Sequence, residues 1–298
     1  MTLGQQILQQ LINGIALGSV YALIALGYTM VYGIIRLINF AHGEVFMIGA
    51  FVGYFAITLF KFSFIPALIF AMLFCSLLGI IMERLAYKPL REAPRIAALM
   101  TAVGLSIFFQ NLMVYLKWVG ASPKAFPRVI EITRYEIMEN VYLTSDKILT
   151  LGVALALMLA LQYVVHKTKM GRAMRAVSQD KDAAQLMGIN VDTTISFTFA
   201  LGSALAAAGG ILYAVSYGKI IYNMGTMPGL KAFVSAVLGG IGSIPGAVAG
   251  GMLLGIVENA VSAAGMSMLR DAVAFAILIL ILLIKPTGLL GKNTREKV

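Results

Sequence analysis

The sequence predicts an all-α integral membrane protein: a polytopic bundle of about eight transmembrane helices plus a glycine-broken half-helix pair near 229–262. Three observations carry that fold class. Of 298 residues, 60% are hydrophobic and 12% charged, about half the charge of a soluble domain, which runs near a quarter. Mean hydropathy is +0.89. The few charges lie between long runs that lack Asp, Glu, Lys and Arg: 7–34, 45–60, 64–82, 96–116, 148–165, 193–217, 232–257 and 272–284. Most of these runs approach the roughly 20 residues that a helix needs to cross a hydrocarbon core about 30 Å thick. Rich in Leu, Ile, Ala and Gly, they lack the polar/apolar alternation of barrel strands. The whole chain, 1–298, is expected to form one transmembrane domain.

Several classes are excluded by what the sequence lacks. The net charge of +10 shows no basic stripe interleaved with aromatics, so no nucleic-acid partner is expected; basic residues collect in the cytoplasmic loops of membrane proteins, and membrane lipid is the expected surrounding. Cys75 is the single cysteine and lies in an apolar run, which leaves neither a disulfide framework nor a cysteine cluster for metal. No basic residue precedes Arg36, so the first apolar run lacks the charged region of a cleaved signal peptide and reads as structural.

Lys and Arg set the expected orientation. Loop 83–95 holds Arg84, Lys88, Arg91 and Arg95; loop 166–192 holds Lys167, Lys169, Arg172, Arg175 and Lys181; the tail holds Lys285, Lys292, Arg295 and Lys297. All three are expected in the cytoplasm, with the N-terminus outside, 36–44 near the inner side, and 117–147 and 218–230 outside. Eight simple spans would put the basic tail outside, so one more embedded segment is needed. The stretch Leu238-Gly239-Gly240-Ile241-Gly242-Ser243-Ile244-Pro245-Gly246 supplies the break, since Pro245 has no N–H to donate and glycine is flexible. Broken helices persist in a membrane only where protein or a watery cavity covers the freed backbone. Nine embedded segments place 14 Lys and Arg inside and 9 outside, five of the latter in the long loop 117–147. That loop reads as a solvated hairpin or a docking surface.

Polar residues at membrane depth are the candidate site. Asn39, His42 and Glu44 lie between two apolar runs and read either as part of a path across the membrane or as a cluster tying two helix ends together. Gly239 and Gly240 line the path or pack against a neighbour too closely for a side chain. Gly14, Gly18, Gly27 and Gly33 permit close helix packing, and Gln110-Asn111 and Glu258-Asn259 suit hydrogen bonds between helices. The sequence contains no phosphate loop G-x-x-x-x-G-K-[ST], no H-E-x-x-H and no G-x-S-x-G elbow. Catalysis within the chain and ATP binding by it are therefore not expected.

Residues 171–190 form an amphipathic, charged loop in which the small residues Ala183 and Ala184 precede Gly188 by a fixed spacing. This resembles the coupling loop of bacterial ABC-importer permeases, Glu-Ala-Ala, three residues, then Gly. Here Asp182 replaces Glu, and the Ile-x-Leu-Pro usual further on is absent, Thr198 and Phe199 standing in that neighbourhood. Residues 13–50 make the resemblance close. With Gly27-Tyr28-Thr29-Met30-Val31-Tyr32-Gly33 and Asn39-Phe40-Ala41-His42-Gly43-Glu44, the chain is similar to the H-type permease of high-affinity branched-chain amino acid (Liv-type) ABC transporters. Lys231-Ala232-Phe233 through Pro245-Gly246-Ala247 and the terminal Lys285-Pro286-Thr287-Gly288-Leu289-Leu290-Gly291 extend it. The resemblance implies a non-catalytic translocation subunit in the bacterial inner membrane. It implies a second permease subunit, two cytoplasmic ATPase subunits that hold ATP and Mg, and a periplasmic amino-acid binding protein. Asp182, Ala183, Ala184 and Gly188 would then couple to the ATPase. A secondary transporter would need a buried ion or proton site, for which only Glu44 and Glu258 offer themselves.

Overall fold

The computed structural model describes residues 3–291; Lys292, Arg295 and Lys297 of the basic tail lie outside the described residues. Among the described residues, seven helices are long and apolar enough to cross a membrane. They are α1 (Leu3–Ile35), α3 (Phe64–Met82, continued to Leu90 by a π turn and a 3-10 turn), α4 (Arg95–Tyr115), α5 (Ser145–Lys167), α8 (Val191–Tyr217), α10 (Ile244–Ala263) and α11 (Arg270–Ile284, led in by a 3-10 turn). Two shorter apolar helices, α2 (His42–Thr58) and α9 (Thr226–Gly239), complete the bundle, while α6 (Lys169–Gln179) and α7 (Lys181–Leu186) form the basic loop at one end. The all-α reading holds for the membrane part. At the opposite end, loop 117–147 forms a hairpin of β2 (Arg134–Met138) on β3 (Val141–Thr144), and β1 (Lys124–Ala125) pairs with β4 (Lys219–Ile220).

Helices α1 and α8 form the centre, their apolar windows 89% and 83% buried. Glycines on α1 and α10 let these two backbones meet. Gly14 and Gly18 on α1 face Gly251 and Gly255 on α10; a Cβ at Gly14 would stand 2.7 Å from the Ile256 Cα, and one at Gly18 would stand 2.8 Å from the Met252 Cα. Two small-x-x-x-small ridges thus interlock, the usual device where lipid supplies no hydrophobic drive to bring helices together. Gly27 packs against His42 and Gly202, whereas Gly33 has only ordinary contact. At the periphery, Ile65, Ile69, Leu73 and Leu77 form an exposed i, i+4 stripe on α3, which suits contact with acyl chains.

The register of contacts along α8 gives the depth of everything else. Asp192, at its start, meets Lys88 (2.6 Å) and Arg91, while Glu83 accepts from Ser196 (2.6 Å) and pairs with Arg91. These contacts define the basic end of the molecule. Gly202 meets Gly27, Ala207 meets Gly49, and Ile211 meets Gly53. Gly202 is the twelfth of the 27 residues of α8, so it lies about 16 Å along the helix at 1.5 Å per residue. His42, which starts α2, packs at that level.

This corrects the expected placement of 36–44. The chain leaves α1 at Arg36, where φ is +53°, and climbs back without helix through 37–41. It is held on the way by Tyr87 of the π turn, whose hydroxyl donates to Asn39 Oδ1 at 2.7 Å. Helix α2 therefore begins near the middle of the bundle, and residues 39–44 lie at depth instead of at the inner face. The glycine break expected near 229–262 is present, between α9 and α10, with one member longer than a half-helix. The second member, α10, is a full 20-residue helix, and the break at Gly240, where φ is +106°, lies at the basic end beside Thr287 and Gly291. Helix α9 alone is short, with 14 residues; the second short helix is α2. Lys231, just past the expected outer loop 218–230, lies buried in α9.

Candidate functional site

Helices α2 and α9 both start at the centre and run to opposite ends. Their N-termini abut: a Cβ at Gly229 would stand 2.8 Å from the Gly43 Cα, and Gly225 and Gly43 touch backbone to backbone. Only residues without side chains permit this approach. The N–H groups at the two helix starts are paired locally, His42 to the Asn39 carbonyl, Glu44 to the Ala41 carbonyl and Thr226 to the Asn223 carbonyl, and Glu44 brings a carboxyl group to this junction. The Glu44 side chain is 1% exposed. Its Oε1 accepts from Ser106 Oγ (3.0 Å) and Gln110 Nε2 (2.8 Å) on α4, with Thr226 Oγ1 of α9 at 3.5 Å. Its Oε2 has no partner among the described residues.

The three residues expected to cluster do not form one group. Asn39 bonds Tyr87, while His42 packs its ring edge-on to Tyr28 at 4.8 Å and leaves Nε2 unpartnered. Glu44 turns away to α4 and α9. The shared feature is depth, and each residue ties a different neighbour to the start of α2. Gly239 and Gly240 are also brought against backbone, Gly239 on Gly246 and Gly240 on Gly291 (a Cβ at Gly240 would stand 2.5 Å from the Gly291 N), with Leu289 and Leu290 donating to the Leu238 and Gly239 carbonyls at 2.9 Å.

A second buried polar group eluded sequence reasoning. Lys231 Nζ donates to Glu258 Oε1 (2.6 Å) and pairs with Asp271 (2.7 Å), and the Tyr21 hydroxyl donates to Glu258 Oε2 (2.8 Å). Four helices, α1, α9, α10 and α11, are joined by one network. A lysine and a glutamate at the two margins of the charge-free run 232–257 were the available signal. Gln110 does bond between helices, but Asn111 and Asn259 return to the carbonyls of Ile107 and Gly255 on their own helices.

At the basic end, α6 buries Gly171, Met174 and Val177 and is capped by Thr168, which accepts from the Gly171 N–H. Asp180 caps α7 by accepting from the Ala183 N–H at 2.9 Å. Helix α7 ends in a Schellman motif: the Gly188 N–H donates to the Gln185 carbonyl and the Ile189 N–H to the Ala184 carbonyl, both at 3.0 Å, with Gly188 at φ +81°. That geometry accounts for the spacing from Ala184 to Gly188. It also divides the four expected coupling residues. Asp182 and Ala183 are exposed, Gly188 is exposed as the left-handed cap, and Ala184 is 4% exposed and packed within its own chain. The protruding apolar surface is Leu186 (89% exposed) and Met187 (83%). Burial and the nearby positive charges of Arg91 and Arg36 push Lys181 below the usual lysine range.

With this geometry in place, relatives can be compared. The chain is 43% identical, over 98% of each chain, to the high-affinity branched-chain amino acid transport system permease protein BraD of Pseudomonas aeruginosa. It is 44% identical to the corresponding permease protein LivH of Escherichia coli K12 and 45% to that of Salmonella typhimurium, in both cases over 98% of this chain and 97% of the relative. The family model described as "Branched-chain amino acid transport system / permease component" matches residues 10–282. A bundle built around two short helices that start at its centre, matched along nearly its whole length, thus belongs to the branched-chain amino acid transport system permease component family.

Proposed function

We propose that this chain is the translocation subunit of an ABC importer that carries branched-chain amino acids, Leu, Ile and Val, across the bacterial inner membrane. The near full-length identity to relatives named as high-affinity branched-chain amino acid transport system permease proteins is the observation that carries the reading. The chain supplies no catalysis. ATP and Mg are held by two cytoplasmic ATPase subunits, a second permease subunit pairs with this one, and a periplasmic binding protein delivers the amino acid. The whole chain acts as a single permease domain, with the N-terminus outside and the basic end, including the tail, in the cytoplasm, as the positive-inside rule favours.

The mechanism follows from the two short helices. Helices α2 and α9 meet end to end at the centre, so a small separation of their N-termini opens the middle of the bundle without unwinding a full span. Glu44 closes that contact through Ser106 and Gln110, which ties peripheral helix α4 to the centre. Helix α7 is the handle. Its exposed Leu186 and Met187 seat on the ATPase, Asp182 and Ala183 border that contact, Ala184 holds the helix to its own bundle, and Gly188 ends it. Nucleotide-driven motion of the ATPase is passed to α8 through Asn190, which caps that helix by accepting from the Thr193 N–H at 3.0 Å. The reading is tested by leucine uptake in cells whose own copy is deleted. Restored uptake that depends on the binding protein and ATPase genes is expected; uptake restored without them would overturn it in favour of an autonomous transporter.

A further inference from the structure

The end of the bundle opposite α7 contains a cavity of about 270 Å³. It lies below the roughly 300–1,000 Å³ of drug-sized sites, so it suits a molecule of amino-acid size. Its floor is α1, its sides are α5, α8 and α10. Two charges of opposite sign line it from the first turn of α5, Asp146 and Lys147. Neither makes an ion pair among the described residues. Lys147 Nζ donates instead to the amide oxygen of Asn13 on α1 at 2.5 Å, which aims the ammonium across the cavity. Opposite the charges, Leu17, Val20 and the ring of Tyr213 form an apolar wall. Tyr213 stacks on Tyr217 at 4.2 Å, which holds that wall rigid.

Both side chains are half-buried, and the Asp146 carboxylate and the remaining N–H groups of Lys147 keep bonding capacity that no ion pair among the described residues takes up. The complement is a molecule with an oxyanion, a primary ammonium and an aliphatic body. We propose that this cavity is an outward-facing station for the zwitterion of an aliphatic α-amino acid. The substrate carboxylate meets Lys147, its ammonium meets Asp146, and its side chain lies on Leu17, Val20 and Tyr213. The proposal rests on the transport reading above and on the orientation that puts this end outside. An aminophospholipid headgroup carries the same pair of charges, and the experiment separates the two.

The test is equilibrium binding of radiolabelled leucine to the complete transporter complex in lipid nanodiscs, with neither binding protein nor ATP present. Saturable binding is expected, displaced by isoleucine and valine but not by isoamylamine, which lacks the carboxylate, or isocaproate, which lacks the ammonium. Lys147→Met and Asp146→Asn are each expected to weaken it by about tenfold or more, as loss of one member of a charge contact does, while Lys147→Arg retains it. Native mass spectrometry checks that the variants assemble. Absence of saturable binding, or binding unaltered by both substitutions, overturns the site. So does a phosphatidylethanolamine that copurifies only when Lys147 is present and that leucine cannot displace. Leucine uptake by the same complex, measured separately, tells a failed site from a failed transport reading.

Discussion

Glu44 illustrates how one residue can hold a membrane protein's centre. A carboxylate buried among apolar helices is stable only where donors converge on it, and Ser106, Gln110 and Thr226 converge here. Glu44→Gln retains an acceptor for the α4 donors but removes the charge; Glu44→Ala removes both. The expected order of leucine uptake is wild type, then Glu44→Gln, then Glu44→Ala, with the last reduced about tenfold or more, since buried donors left unpaired cost about 1–3 kcal/mol. Undiminished uptake by Glu44→Ala, at equal membrane abundance, would remove the carboxylate from the mechanism. The Lys231 network makes a separate prediction at the same scale. Lys231→Met strands Glu258 in the bundle, a loss of about 3–5 kcal/mol, and should lower the thermal midpoint in detergent clearly. Replacing both residues by Met should recover part of that loss. If the double variant melts below the single one, the pair is not acting as a compensated charge.

Among the elements, α7 shows what sequence can and cannot reveal. The spacing of Ala184 and Gly188 was legible, because a left-handed cap requires glycine at a fixed distance from the last turn. Its meaning was not: a small residue close to a partner and a small residue at positive φ give the same letter. Gly188→Asn, tolerated in the left-handed region, is therefore expected to leave ATPase retention intact, whereas Gly188→Val unwinds the cap and Leu186→Asp breaks the apolar contact. Subunit stoichiometry after purification is the measurement, and full retention by Leu186→Asp would place the contact elsewhere. Helix α2 shows the opposite limit. Residues 37–41 are apolar enough to belong to a span, and hydrophobicity does not distinguish extended chain covered by protein from helix. The segment turns at Arg36, where φ is +53°, and is tied down by Tyr87 holding Asn39, a partner supplied from another helix. Glycines at 43, 225 and 229 were visible as letters, but their pairing across 180 residues of sequence was not.

For the whole molecule, charge-free runs located the spans, since lipid-facing helix must be apolar. Charge counting gave no sign of the Lys231–Glu258 pair, because a buried ion pair and a loop residue count alike. The orientation has its own check. With Cys75 replaced, cysteines at Lys88 and Lys181 should resist impermeant thiol reagents in intact cells and one at Glu136 should react. Reaction from outside at Lys88 or Lys181 would invert the bundle. The central claim, that this chain is the path and its partners the engine, is tested most directly by reconstitution. Proteoliposomes containing both permeases and the ATPase, with binding protein and leucine on one side and ATP on the other, should accumulate leucine. That accumulation should stop when ATP is withheld or when the Leu186→Asp variant replaces the wild type. Equal accumulation without ATP, or by this chain alone, would contradict it.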